Sequence, residues 1–155
     1  MSTFSTVAVA LHALAAVGWV GGMFFAYVVL RPSLGALEGP RRLALWGAVL
    51  GRFFVWVWLS VVVLLVTGYL QVAVDFGGFG RVGLHIHIMH AIGLVMVALY
   101  VFAFSLPFQR FQKAVAGEDW AEANLRLAQI RRLVATNLVL GLITVAIGAS
   151  GRLWG

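Results

Sequence analysis

The chain has 155 residues, of which 63% are apolar and only 10% charged, with a mean hydropathy of +1.02. That composition excludes an ordinary soluble domain, and with so much of the chain required in lipid it leaves no room for a separate soluble one. The net charge of +6 does not point to nucleic acid, because the arginines cluster at the ends of apolar blocks, where lipid headgroups account for them. The absence of cysteine removes disulfides, thiolate metal sites, Cys nucleophiles and covalent c-type haem attachment.

Val7 to Leu30 is apolar apart from His12 and long enough to cross about 30 Å of hydrocarbon, ending at Arg31-Pro32. No basic residue precedes it, so it is read as a retained first helix rather than a cleaved signal peptide. The second span runs from Leu43 to about Val74, with Pro40 in its first turn and Arg52 as its one charge, and Asp75-Phe76-Gly77-Gly78-Phe79-Gly80 stops it. The third runs from Gly83 to Leu106 and is expected to close at Pro107. Acids at Glu118, Asp119 and Glu122 then mark a helical start that leads past Arg131-Arg132 into the fourth span, Leu133 to about Gly151.

These elements predict an all-α, single-domain, integral-membrane four-helix bundle. Lys and Arg concentrate in the first and third connections, while the other side carries only Arg81 and Arg152. The positive-inside rule therefore places both termini outside, facing the periplasm in a bacterial inner membrane. Gly18 with Gly22, and Gly47 with Gly51, are Gly-x-x-x-Gly pairs that allow close helix approach, in the monomer fold or in a homodimer. Asn137, Gly141, Thr144 and Gly148 give the fourth helix one small, weakly polar stripe that should face protein. Trp46, Trp120 and Trp154 read as interfacial anchors.

The four histidines carry the chemistry, because imidazole in hydrocarbon is costly and tends to face a bundle interior or a pathway. From the start of their spans, His12 lies about 8 Å deep and His87 and His90 about 6 and 10 Å deep, in one layer. His87 and His90 are about 60° apart around their helix and share a face, whereas His85 is turned well away. His12, His87 and His90 are the candidate metal ligands, with His85, Met23, Met89 and Trp19 as further metal or pocket residues. Copper suits such imidazoles with soft Met neighbours. Equally, two histidines at one depth suit a b-type haem, with Gly18, Gly22 or Gly93 making room for the porphyrin and Arg81 or Arg152 meeting its propionates. A cofactor-free structural partner, its histidines bonded to neighbouring carbonyls, is the bland alternative.

On the inner side, Arg52 followed by Trp56 at i+4 allows a cation-π contact, and with Asn137 at similar depth it forms a candidate polar site for an anion or proton. Snorkelling of Arg52 is the plainer reading. All five acids lie outside the spans, and the chain lacks a phosphate loop or a Ser-His-Asp set, so hydrolytic enzymes are excluded. Any enzymatic activity would be that of an oxidoreductase using b-type haem.

In Leu11-His12, Gly18-Trp19-Val20-Gly21-Gly22-Met23-Phe24 and Leu30-Arg31-Pro32, then Arg52-Phe53-Phe54, Thr67-Gly68-Tyr69, and Arg132 with Asn137-Leu138-Val139-Leu140-Gly141, the chain resembles the copper resistance protein D (CopD) family in its short, four-helix form. That resemblance covers nearly the whole chain and implies a periplasm-facing copper role in the bacterial inner membrane, binding the ion or passing it across, with a periplasmic copper donor as partner. Leu11-His12 and Leu84-His85-Ile86-His87 also resemble the membrane protoporphyrinogen oxidase family, which uses a His in helix one and a Lys early in helix three to bind b-type haem. Here His87 stands at the Lys position, which implies a haem protein, served by a haem donor, without that oxidase activity. Four methionines and no cysteine leave a static or regulated copper site and a conducting path both open.

Overall fold

A computed structural model of the chain describes residues 3–153, without the side chain of Arg152. Trp154 lies outside the described residues. The described residues form helices and turns with no strand, and four helices are long and apolar enough to cross a membrane: α1 (Thr3–Ala36), α2 (Gly39–Val74), α3 (Leu84–Ala116) and α4 (Trp120–Ser150). Outward-facing Leu14, Val17, Val55 and Trp56 are two-thirds exposed, the arrangement expected where lipid is the solvent.

Two prolines expected at helix ends lie within continuing helices. Pro107 does not close α3: it sits in a π turn, Phe104–Phe108, after which the helix runs on to Ala116. A wider turn accommodates a residue that lacks an N–H and crowds the preceding carbonyl. Likewise a π turn at Phe25–Leu30 precedes Pro32, which occupies the first turn of the next helical segment, so α1 continues past Arg31 to Ala36. The α2–α3 connection turns at Gly77 (φ 71°) and Gly78 (φ 111°), conformations that glycine adopts at little cost. Asp119 caps α4, its carboxylate accepting the Glu122 N–H at 3.0 Å.

Helix α1 lies along α2, and α3 along α4, with α4 also touching α1. Each close approach uses the small residues. Gly18 faces the Ser60 hydroxyl and Gly22 the Phe53 ring, while Gly47 and Gly51 face Phe111 and Gln112 of α3. Both Gly-x-x-x-Gly pairs are thus used inside the chain. The α4 stripe faces protein: Asn137 donates to the Met96 carbonyl at 3.2 Å, Gly141 lies against Val20 and Met96, and Gly148 lies against Met89.

Between α2 and α3 the gap is wider and filled by rings. Phe54 packs on Tyr100, Phe104 and Phe108, and Trp58 on Tyr100 and Phe104. The Tyr100 hydroxyl donates to the Phe54 carbonyl at 2.7 Å, and Trp19 of α1 meets Tyr100 edge-on. This aromatic plug closes the middle of the bundle. Beyond it, at the arginine-rich end, Leu43, Phe111, Leu127 and Ile130 are at most 1% exposed, so the core extends past the apolar spans into the helix extensions. Trp46 is buried in that core at 4% exposure rather than anchoring at the lipid interface.

Candidate metal-handling end

The histidines gather at the end that also carries the start of α1, the end of α4 and the Gly77-Gly78 turn. The His12 Nδ1 lies 2.8 Å from the Thr67 hydroxyl, which itself donates to the Val63 carbonyl at 2.6 Å. A hydroxyl has one proton, so the Thr67 oxygen accepts from His12, and Nδ1 carries the imidazole hydrogen. In that tautomer a neutral His12 carries its lone pair on Nε2, the form in which histidine ligates metals. The edge of the same ring rests on Gly68, where an added Cβ would meet Cε1 at 3.3 Å, and the Leu64 carbonyl lies alongside.

On the other flank His90 packs against Tyr69 and Phe79, ring centroids 5.5 and 5.1 Å apart, and Phe79 also contacts His87 at 6.1 Å. His87 is exposed and His90 half-buried. Thr67 and Tyr69 are two residues apart on α2, about 3 Å along the axis but about 200° around it. His12 and His90 therefore share a depth, as their positions in sequence predict, yet flank opposite sides of α2. The expected convergence of His12, His87 and His90 on one point is not formed: among the described residues no three of His, Asp and Glu stand together as a metal-binding group. Helix rotation, set by the Gly18 and Gly22 contacts with α2, turns His12 onto Thr67 and away from α3.

The remaining candidates are dispersed. His85 lies over Gly83 and Gly151, wedged at the end of α4. Met89 is applied to Gly148, and Met23 and Trp19 are buried at 1% and 4% in the central core. Arg52 is exposed on the outside of α2, whereas Asn137 is buried with its one hydrogen bond to Met96, so the two do not form a joint polar site. The cation-π pairs among the described residues are Arg31 with Tyr27 and Arg131 with Trp46, not Arg52 with Trp56.

Of the three glycines expected to make room for a porphyrin, Gly93 faces open space, whereas Gly18 and Gly22 are covered. Phe53 occupies the space beside Gly22, and Gly18 is taken up by Ser60. Two clefts among the described residues, one bordered by Arg31, Trp46 and Arg131 and one by Trp19, Tyr100 and Asn137, have no histidine in their walls.

Sequence alone gives no role to Thr67, Tyr69 or Phe79. Beyond its place in the Thr67-Gly68-Tyr69 segment, the signal for Thr67 is a single hydroxyl at the end of the run Val61-Val62-Val63-Leu64-Leu65-Val66. Ser5, whose hydroxyl donates to the Asp75 carboxylate, likewise ties α1 to the end of α2 beside the histidines.

In comparison with known families, the profile of copper resistance protein D (CopD) matches residues 47–150. No curated protein and no solved structure matches the chain.

Proposed function

The chain belongs to the copper resistance protein D family, and from that we propose that it handles copper ions as cargo at its histidine-bearing end, which faces the periplasm from a bacterial inner membrane. The observation that carries this reading is the His12–Thr67 hydrogen bond, which leaves Nε2 as a ligand in a membrane helix. Two stations serve the ion. The exposed His87 with half-buried His90 forms one station on α3, and His12 forms a second donor at similar depth on the far flank of α2. Separate, incomplete donor sets suit an ion that must leave again, since a site that releases its ion cannot be a closed cage.

Copper titration of detergent-purified protein, with metal content measured on the same sample, tests the proposal. His12→Ala and the double variant His87→Ala/His90→Ala should each lower bound copper several-fold while the proteins elute as wild type does. Unchanged copper in both variants refutes the histidine stations. A Soret band with stoichiometric iron in the wild type would replace copper with haem as the ligand.

A further inference from the structure

At the opposite end of the bundle three arginines stand together with no carboxylate partner among the described residues. Arg31, Trp46 and Arg131 border one cleft, the Arg131 guanidinium lying 5.8 Å over the Trp46 ring and that of Arg31 5.1 Å over Tyr27. Arg42, one turn before Trp46 on α2, and Arg31 are both close enough to repel the Arg131 charge. Three donors here are shut off from solvent and unpartnered: the Nε of Arg42, the Nε of Arg131 and the Nε1 of Trp46, on a residue only 4% exposed. The ion pairs among the described residues, Arg41 with Glu38 and Arg126 with Glu122, do not include any of the three arginines.

Like charges packed together beside unsatisfied buried donors are destabilising unless a counter-charge arrives. No carboxylate of the described chain supplies it, so the counter-charge comes from outside. We propose that Arg31, Arg42, Arg131 and the Trp46 indole form a binding site for a phosphate group. Guanidinium forks match phosphate oxygens bidentately, and the indole N–H adds a third direction of donation. The site lies where Leu43 and Leu133 begin the apolar stretches of α2 and α4, the level of lipid headgroups. Ala26, Phe53 and Val134 also line the cleft, an apolar flank against which an acyl chain lying along the bundle would pack. An anionic phospholipid supplies both parts, whereas free phosphate supplies only the first.

The test is native mass spectrometry of the whole chain in neutral detergent, with phosphatidylglycerol, phosphatidylcholine or inorganic phosphate added. Wild type should retain phosphatidylglycerol in preference to phosphatidylcholine. Arg131→Gln and Arg42→Gln should each weaken that retention about tenfold or more, while Arg132→Gln, an exposed neighbour, leaves it unchanged. Should Arg131→Gln fail to assemble, Arg42→Gln and the charge-keeping Arg131→Lys read the same site. Full competition by millimolar inorganic phosphate would support the phosphate site with the free ion as its occupant. Equal retention of the two lipids with no effect of phosphate, or equal losses in the Arg131→Gln and Arg132→Gln variants, overturns the proposal in favour of diffuse surface charge.

Discussion

The Thr67 hydroxyl offers the sharpest separation of metal handling from folding. Thr67→Val keeps the shape of a side chain that is 6% exposed and removes only the oxygen that accepts from His12. Interhelical hydrogen bonds in membranes average about 0.6 kcal/mol and reach about 1.7, and the Leu64 carbonyl beside the ring can take part of the lost contact. The stability loss should therefore stay near 1 kcal/mol. Copper binding should suffer more, because the ring loses the partner that fixes its tautomer. Losing such a partner typically costs 10- to 100-fold in metal affinity, equivalent to about 1.4–2.8 kcal/mol. Thr67→Ser retains the oxygen and should bind nearly as wild type does. Copper titration alongside reversible unfolding in mixed micelles gives both quantities. Wild-type copper affinity in Thr67→Val, or an affinity loss matched by an equal loss of stability, refutes the reasoning.

Three further outcomes follow from packing and protonation. Gly141→Ala places a Cβ 2.8 Å from the Val20 side chain and 3.1 Å from Met96; Met96 can bend aside but β-branched Val20 cannot easily rotate, so unfolding should show a net loss of about 1–2 kcal/mol, relieved when Val20→Ala is added. Tyr100→Phe removes the 2.7 Å bond to the Phe54 carbonyl but keeps the aromatic plug, and should cost about 1 kcal/mol or less in the same assay; Tyr100→Ala, which opens the plug, should cost about 3–5. Copper ligation needs neutral imidazole, so bound copper measured by equilibrium dialysis should fall on acidification, and retention of the full complement at pH 4 would argue against histidine ligands.

Four apolar runs and their flanking arginines suffice to read the helical class and the membrane, because lipid forces every backbone donor into a helix and leaves few alternatives. The common depth of His12 and His90 is also legible, since rise per residue is fixed. Rotation is not. Whether His12 faces α2 or α3 depends on how Gly18 and Gly22 seat on Ser60 and Phe53, contacts between residues far apart in sequence, and the same contacts fill the space beside those two glycines. Pro107 misleads for a local reason: a π turn rescues it, and no residue pattern around it announces one. Trp46 reads as an interface anchor until the extensions of α3 and α4 are seen to carry Phe111, Leu127 and Ile130 beyond the hydrophobic spans and enclose it.

The two ends of the bundle answer different demands, and the aromatic plug is what keeps them apart. Phe54, Trp58, Tyr100, Phe104 and Phe108 interlock between α2 and α3, so an ion held at the histidines meets apolar rings rather than a wet channel on its way to the arginines. Passage through this arrangement would require α2 and α3 to separate. Along the plug, side chains rather than closely packed glycines join them, and among the described residues one side-chain hydrogen bond, Tyr100 to the Phe54 carbonyl, spans the gap there. Helices α1 and α2 are seated together on Gly18 and Gly22 and α3 and α4 on Gly148, while Gly141 of α4 rests on both Val20 of α1 and Met96 of α3. Such a motion would slide Tyr69 of α2 past His90 of α3 while leaving His12 bonded to Thr67 within its own pair. The His12–Thr67 contact thus lies within the α1–α2 pair, whereas the Tyr69–His90 contact bridges α2 and α3.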